Sequence, residues 1–130
     1  MEVFKVNREI AQLIILQRIE LASPFLKRLR KLFGRYIFSN FFSKYFINIS
    51  EIEHKYYLLM KNEYEVIQNF LKPGQNILSV GSGIGGLELL VSKKNLNTKV
   101  SFIEKNYISK KIIYGWDDSN LEAYNNLNLL

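Results

Sequence analysis

The sequence contains no cysteine, one histidine and two prolines among its 130 residues. The absence of cysteine excludes a disulfide scaffold, a thiolate metal site and a cysteine nucleophile. His54 is the only imidazole, so neither a histidine-based metal centre nor a Ser-His-Asp triad is expected. We therefore predict no metal site, and we expect His54 to be a surface residue.

Long hydrophobic runs are also missing. No stretch approaches the roughly 18 apolar residues of a membrane-spanning helix. The first ten residues carry two acids and no signal-peptide core, which predicts a cytoplasmic protein. The chain is 48% hydrophobic and 23% charged, a composition typical of globular rather than disordered proteins.

Positive charge is concentrated near the N-terminus. Residues 1–50 hold nine Lys or Arg and three Glu, whereas residues 51–130 hold nine Lys and nine Asp or Glu. This asymmetry predicts two parts with different roles. Residues 1–49 would form a basic, aromatic-rich helical segment, and residues 50–130 would form part of a ligand-binding domain.

The apolar spacing of the N-terminal segment predicts two helices. The first covers residues 7–22. A second begins at Ser23 and Pro24, which are favoured as N-cap and first-turn residue, and Gly34 is a plausible stop. Between Pro24 and Gly34, the apolar side chains lie on one face of the predicted helix and the basic side chains on the other. Residues 35–49 fit either a short helix or a strand.

A third helix is predicted over residues 50–71. Ser50 and Glu53 have the spacing of a capping box, and Lys72-Pro73-Gly74 disfavours helix beyond residue 71. The side chains expected to form the apolar stripe of this helix are Ile52, Tyr56, Leu59, Met60, Ile67 and Phe70.

The following segment alternates strand and helix, which predicts an α/β fold. Its elements would be a buried strand Asn76–Val80, a glycine-rich turn Gly81–Gly86, a helix Leu87–Lys94, a strand Lys99–Ile103 and a last helix starting at Asp118 or Ser119.

The glycine-rich turn is typical of a nucleotide site. Residues without a Cβ let the backbone approach a ligand closely, and an acid after the next strand can hold a ribose. Glu104 follows Gly85 by about the 20 residues expected for such an acid. Gly81, Gly83 and Gly86 satisfy the dinucleotide pattern G-x-G-x-x-G, while Gly85 as third glycine satisfies G-x-G-x-G.

With the preceding helix and Lys72-Pro73-Gly74, the segment resembles motif I of the class I S-adenosylmethionine-dependent methyltransferases. The resemblance covers roughly residues 65–104 and implies a Rossmann-like sheet that binds S-adenosylmethionine. Ser79 stands where that family usually has an acid. The cofactor-binding residues that the resemblance implies are Ser79, Gly81, Ser82, Gly83, Gly85, Glu104 as the ribose ligand, and Asn106 or Tyr107 beside the adenine.

The activity implied by the resemblance is methyl transfer to an acceptor, for which a small molecule or sugar is favoured over nucleic acid. No catalytic residue is identified. Two alternatives stay open: an NAD(P)-dependent oxidoreductase that uses the same turn, and a non-enzymatic module that docks to a membrane or partner. Tyr114 and Trp116 are expected in the core rather than over the cofactor.

Two further expectations concern the ends of the chain and its basic cluster. The resembling enzymes have seven strands, so we expect residues 1–130 to be the N-terminal part of a longer protein, unstable and inactive alone. The Lys27–Arg35 cluster is expected to be a solvated helix face, with an anionic membrane surface as a possible partner.

Overall fold

A computed structural model describes residues 5–103, which form a mixed α/β fold, mostly helical, with a two-stranded parallel sheet. Short 3₁₀ turns at Ile19–Leu21 and Gln68–Phe70 and a π-helical turn at Phe38–Phe42 accompany the main elements. The elements are α1 (Arg8–Gln17), α2 (Pro24–Ile37), α3 (Ser43–Tyr45), α4 (Ile49–Ile67), β1 (Asn76–Val80), α5 (Gly86–Lys94) and β2 (Lys99–Ile103). The helix predicted from Asp118 or Ser119 lies outside the described residues.

Side-chain caps define the first two helices. The Asn7 side chain accepts a hydrogen bond from the Ile10 amide at 2.8 Å, and α1 then ends earlier than residue 22 because the chain tightens into a 3₁₀ turn. The start predicted for α2 is confirmed: the Ser23 hydroxyl accepts from the Leu26 amide at 3.3 Å, and Pro24 is the first helical residue.

Gly34 ends the first helical part of α2, as predicted, and a second helical part follows it across a kink. Its φ of 75° and ψ of 179° lie in a region that is essentially restricted to glycine. Helical structure resumes at once and runs through the π-helical turn to Tyr45. The open choice for residues 35–49 is thus settled as mainly helical.

The capping box predicted at Ser50 is wrong. Asn48 caps α4 instead, because its side-chain oxygen accepts from the Glu51 amide at 3.2 Å. The helix also ends at Ile67, before residue 71, and Phe70 is therefore 79% exposed rather than part of the stripe. The four buried side chains of α4 are Ile52, Tyr56, Met60 and Tyr64.

Both strands are confirmed at their predicted bounds. They pair in parallel, with Asn76 opposite Lys99 and Val80 opposite Ile103. The expectation that β1 is buried is wrong, because its inward and outward side chains alternate. Ile77 packs against the core, whereas Leu78 and Val80 on the other face are 60% and 70% exposed.

One buried cluster joins the two predicted parts of the chain. It contains Ala11 and Ile14 from α1, Leu26 from α2, Met60 from α4 and Leu90 from α5. The division near residue 49 stays a prediction, but the described portions on either side of it share a core. Within residues 5–103, no helix combines the length and apolarity needed to cross a membrane.

Candidate functional site at the glycine-rich turn

The glycine-rich turn joins the carboxyl end of β1 to the N-terminus of α5. Gly81, Gly83 and Gly85 have φ values of 69°, 63° and 68°, so every second residue adopts a left-handed conformation. Side chains with a Cβ disfavour this region, which explains the glycines at these positions. Gly85 is also the N-cap residue of α5.

The turn lies beside the end of β2. The Gly81 amide donates a hydrogen bond to the Ile103 carbonyl at 3.0 Å. Both strands therefore deliver their carboxyl ends to one edge of the sheet, which is where open α/β sheets bind ligands. Glu104, Asn106 and Tyr107, predicted to contact the cofactor, follow Ile103 in the sequence and lie outside the described residues.

Gly86 is needed for helix packing. It lies in the first turn of α5 and is buried against Tyr56 of α4. A Cβ at this position would overlap the Tyr56 hydroxyl and lie 2.6 Å from its Cε1 atom. The close approach of α4 to α5 therefore depends on the absence of a side chain at position 86.

The Tyr56 hydroxyl contacts the turn as well as the core. Burial raises the pKa of Tyr56 well above its ordinary value, while a hydrogen bond from the Gly86 amide lowers it by a smaller amount. The phenol is therefore protonated at neutral pH. It occupies one of the backbone donors at the N-terminus of α5, so this donor is not open to a ligand.

Gln17, at the end of α1, covers Gly83. Its Oε1 atom lies 2.9 Å from the position that a Cβ on Gly83 would take. The same end of α1 is fixed to α4 by an ion pair between Arg18 and Glu63, with 3.3 Å between nitrogen and oxygen. The N-terminal helices thus contribute directly to the surroundings of the turn.

Ser79 holds the carboxylate of Glu88 near the start of the turn. Its hydroxyl makes a short hydrogen bond with the Oε1 atom of Glu88, in the first turn of α5. The sequence lacks an acid two residues before Gly81, but the fold brings one to that strand end from the following helix. A negative charge is favourable there, because the N-terminus of a helix carries partial positive charge.

Ser82 offers a free polar atom inside the turn. Its hydroxyl is shielded from solvent and has no hydrogen-bond partner among the described residues. A buried hydroxyl without a partner is unfavourable by roughly 1–3 kcal/mol, so a ligand that supplied a partner would stabilise this arrangement. The turn therefore holds an unpaired polar atom, which a ligand could reach only if the groups that shield it moved.

A small cleft separates the sheet from α4 and α5. It measures about 160 Å³ and is lined mainly by apolar side chains, with Ser79 and Glu88 at its polar end. Pockets for cofactors and other small molecules usually measure about 300–1,000 Å³. This cleft is therefore too small for a cofactor, and the open edge above the turn is the better candidate site.

The structure places five of the predicted site residues at the end of β1 and in the turn that follows: Ser79, Gly81, Ser82, Gly83 and Gly85. Sequence reasoning missed Gln17 and Glu88 and assigned Tyr56 to the core alone. Glu88 had a recognisable signal, since it is an acid in the first turn after a motif that lacks its usual acid. Gln17 had none, because only tertiary packing places α1 over the turn.

Comparison with models of protein families, with curated proteins and with solved structures finds no significant match to this chain.

Proposed function

We propose that the glycine-rich turn binds S-adenosylmethionine and that the protein is a class I methyltransferase built on a Rossmann-like sheet. One observation carries the proposal. Three alternate glycines adopt left-handed conformations at the carboxyl end of β1, and the first is hydrogen-bonded to the end of the neighbouring parallel strand. This is the backbone arrangement that a nucleoside-containing ligand requires.

The phase of the glycines favours S-adenosylmethionine. The pattern G-x-G-x-G is satisfied by the three glycines with positive φ, Gly81, Gly83 and Gly85. Gly86, which the dinucleotide pattern needs instead of Gly85, is accounted for by its contact with Tyr56. The three glycines with positive φ are therefore those of the methyltransferase pattern.

An NAD(P)-dependent oxidoreductase is the second candidate. In the dinucleotide fingerprint the third glycine permits close packing of the helix, and Gly86 serves close packing here. The contact is made with Tyr56 of another helix rather than with the strand, so this observation supports the second candidate less strongly.

The proposal assigns roles to residues of this chain. Glu104 would accept hydrogen bonds from both ribose hydroxyls, and Asn106 or Tyr107 would flank the adenine. Glu88, held by the hydroxyl of Ser79, would face the ammonium group of the methionyl end, and Ser82 would hydrogen-bond to the ligand. The bound cofactor would supply an electrophilic methyl group for in-line transfer to an acceptor.

The acceptor is proposed to be a small molecule or sugar. The protein's contribution to such a transfer is mainly to hold the nucleophile and the methyl group in line. No described residue is assigned as a catalytic base.

Calorimetric titration tests the choice of cofactor. We expect S-adenosylhomocysteine to bind and NAD⁺ and NADP⁺ not to bind. Glu104→Ala should weaken S-adenosylhomocysteine by about 1.5–3 kcal/mol, the contribution of hydrogen bonds to a charged group, or roughly 10- to 150-fold. Gly83→Val should weaken it at least as much, because the branched side chain disfavours positive φ and fills the approach to the turn.

Gly74→Val is the matched control for Gly83→Val. Gly74 also has a φ of 75°, but it lies before β1 and away from the site. This control should retain the parent affinity if it folds. Tight NAD(P)⁺ binding without S-adenosylhomocysteine binding would replace the proposal with the oxidoreductase, and parental affinity in both site variants would show that the site lies elsewhere.

A further inference from the structure

The basic charge of the chain is confined to one stretch of the N-terminal helices. Residues 21–50 contain six Lys or Arg and no Asp or Glu, and the whole chain has a formal net charge of +6. All other residues together therefore carry equal numbers of positive and negative charges. A stretch of 30 residues that carries the complete excess is a strongly electropositive surface.

The same stretch exposes large apolar side chains around the bend at Gly34. Every residue from 31 to 37 is exposed, although all lie within α2. Leu32 is 76% exposed, Phe33 48%, Tyr36 52% and Ile37 49%. Single exposed apolar residues are common, but a contiguous apolar cluster on a protein surface marks an interaction site.

Apolar and basic side chains occupy different faces of α2, and both faces are exposed. Phe25, Arg28 and Leu32 have the i, i+3, i+7 spacing of one helix face, and all three are exposed. After the bend, Phe41 is 49% exposed and Tyr45 66%, with 5.3 Å between their ring centroids. An exposed apolar face with basic residues at its border and on the opposite face is typical of helices that lie in the interface of a membrane.

The aromatic segment is fixed to the core behind it. The Gln12 amide donates to the Ser39 carbonyl and to the Ser43 hydroxyl, both at 3.0 Å, and Phe38 is 2% exposed. Arg8 donates to the Lys44 carbonyl at 2.9 Å. The inner side of this segment is hydrogen-bonded to α1, and its exposed rings therefore lie on the opposite, outer side.

A shallow depression lies on the basic face of α2. It measures about 360 Å³ and is lined by Lys27, Arg30 and Lys31, together with Ile19. Three cations around one depression suit a phosphate-bearing headgroup, since ammonium and guanidinium groups donate charge-assisted hydrogen bonds to phosphate.

We propose that residues 25–46, the docking surface, bind an anionic lipid membrane. Leu32, Phe33, Tyr36 and Ile37 would enter the boundary between headgroups and acyl chains, while the cations of α2 contact lipid phosphates. Two kinds of contact, apolar insertion and electrostatic attraction, are what stable peripheral binding requires. The inference is independent of the proposed methyltransferase activity.

Two other occupants are less suited to the docking surface. A second copy of this chain would bring the same positive charges face to face. Nucleic acid would use the cations, but Leu32 and Ile37 have aliphatic side chains that neither stack on bases nor hydrogen-bond to them. An anionic membrane satisfies both the charged and the aliphatic side chains.

Vesicle flotation of the protein tests the proposal. We expect it to float with vesicles of phosphatidylcholine and phosphatidylserine and not with phosphatidylcholine alone, with binding that weakens as salt is raised. Arg28→Glu with Lys31→Glu should lower partitioning at least about tenfold. Each basic residue near an anionic surface strengthens binding roughly fivefold, and two are lost here. Leu32→Ser with Ile37→Ser should also lower it.

The matched control is Lys72→Glu with Lys99→Glu, which changes the net charge equally at two exposed lysines outside the docking surface. It should float better than the Arg28 and Lys31 variant. Far-UV circular dichroism of each variant verifies that its helices are retained, and a variant that loses them is replaced by Arg28→Gln with Lys31→Gln.

Four results would overturn the proposal. Equal flotation with neutral and anionic vesicles, or equal loss in the control, would remove the electrostatic component. Binding to RNA or DNA that depends on Arg28 and Lys31, without flotation, would assign the surface to nucleic acid. Self-association that is abolished by Leu32→Ser with Ile37→Ser, again without flotation, would assign it to a second copy.

Discussion

Helices α2 and α4 both carry an apolar stripe, but the two stripes have different environments. Four side chains of α4 are buried, whereas Leu26 alone is buried in α2. In α2 the remaining apolar side chains include Phe25 and Leu32, which are 57% and 76% exposed. An apolar stripe therefore shows that a helix has a surface to cover, but not that its own chain covers it.

The difference follows from the neighbours of each helix. One side of α4 packs against α1, and another approaches α5 so closely that Gly86 cannot carry a side chain. By contrast, α2 contacts the core only through Leu26 and the partly buried Leu29, and it then bends at Gly34 into the aromatic segment. Three predictions use this contrast, from the largest expected effect to the smallest.

Truncation of one aliphatic side chain on each helix should give the largest difference in stability between α2 and α4. Ile52→Ala, at a site 2% exposed in α4, should lower the free energy of unfolding by about 2–5 kcal/mol through lost burial and a cavity. Leu32→Ala in α2 should change it by less than about 0.5 kcal/mol. Guanidinium unfolding measures both, and a comparable loss at Leu32 would show that this side chain is covered.

The contact between α4 and α5 should appear as energetic coupling. Gly86→Ala should destabilise the protein by about 1–3 kcal/mol, because the new Cβ displaces Tyr56. In a Tyr56→Ala background the same substitution should be much less harmful, with a coupling energy of about 0.5–3 kcal/mol.

Gly34→Ala is the control for this cycle. A Cβ at position 34 meets nothing within 4 Å, so this substitution acts through backbone strain alone and should not couple to Tyr56. Additive effects of Gly86→Ala and Tyr56→Ala would contradict the packing described for these two helices.

The smallest expected effect concerns the start of α4. Asn48→Ala should lower the free energy of unfolding by about 1 kcal/mol through loss of the N-cap hydrogen bond. Ser50→Ala should change it little, although the sequence pattern favours Ser50 as the cap. Thermal unfolding of the two variants measures both effects. A larger loss of stability in Ser50→Ala than in Asn48→Ala would support the predicted capping box.

Local patterns predicted those features that depend on neighbours along the chain. Both strands were placed at their observed bounds, and the Ser23–Pro24 start of α2 was found, because a short strand and an N-cap are decided within a few residues. The capping box failed because Asn48 and Ser50 are both residues favoured as caps, and the structure uses Asn48.

The candidate site divides in the same way. Glycine spacing alone indicated Gly81, Gly83 and Gly85, since a left-handed backbone restricts the residue type wherever it occurs. The partners Gln17 and Glu88 were not predicted, because each reaches the turn only through the packing of its helix.

By itself, the sequence determined where the strands lie, where the chain must turn, and that all excess positive charge belongs to one stretch of 30 residues. These properties depend on backbone conformation and composition, which need no distant contact. Tertiary structure alone decided that the apolar stripe of α4 is buried while most of the stripe of α2 stays exposed, and that α1 covers Gly83 of the glycine-rich turn. Burial is a property of two surfaces in contact, and one amphipathic pattern supplies only the first of them.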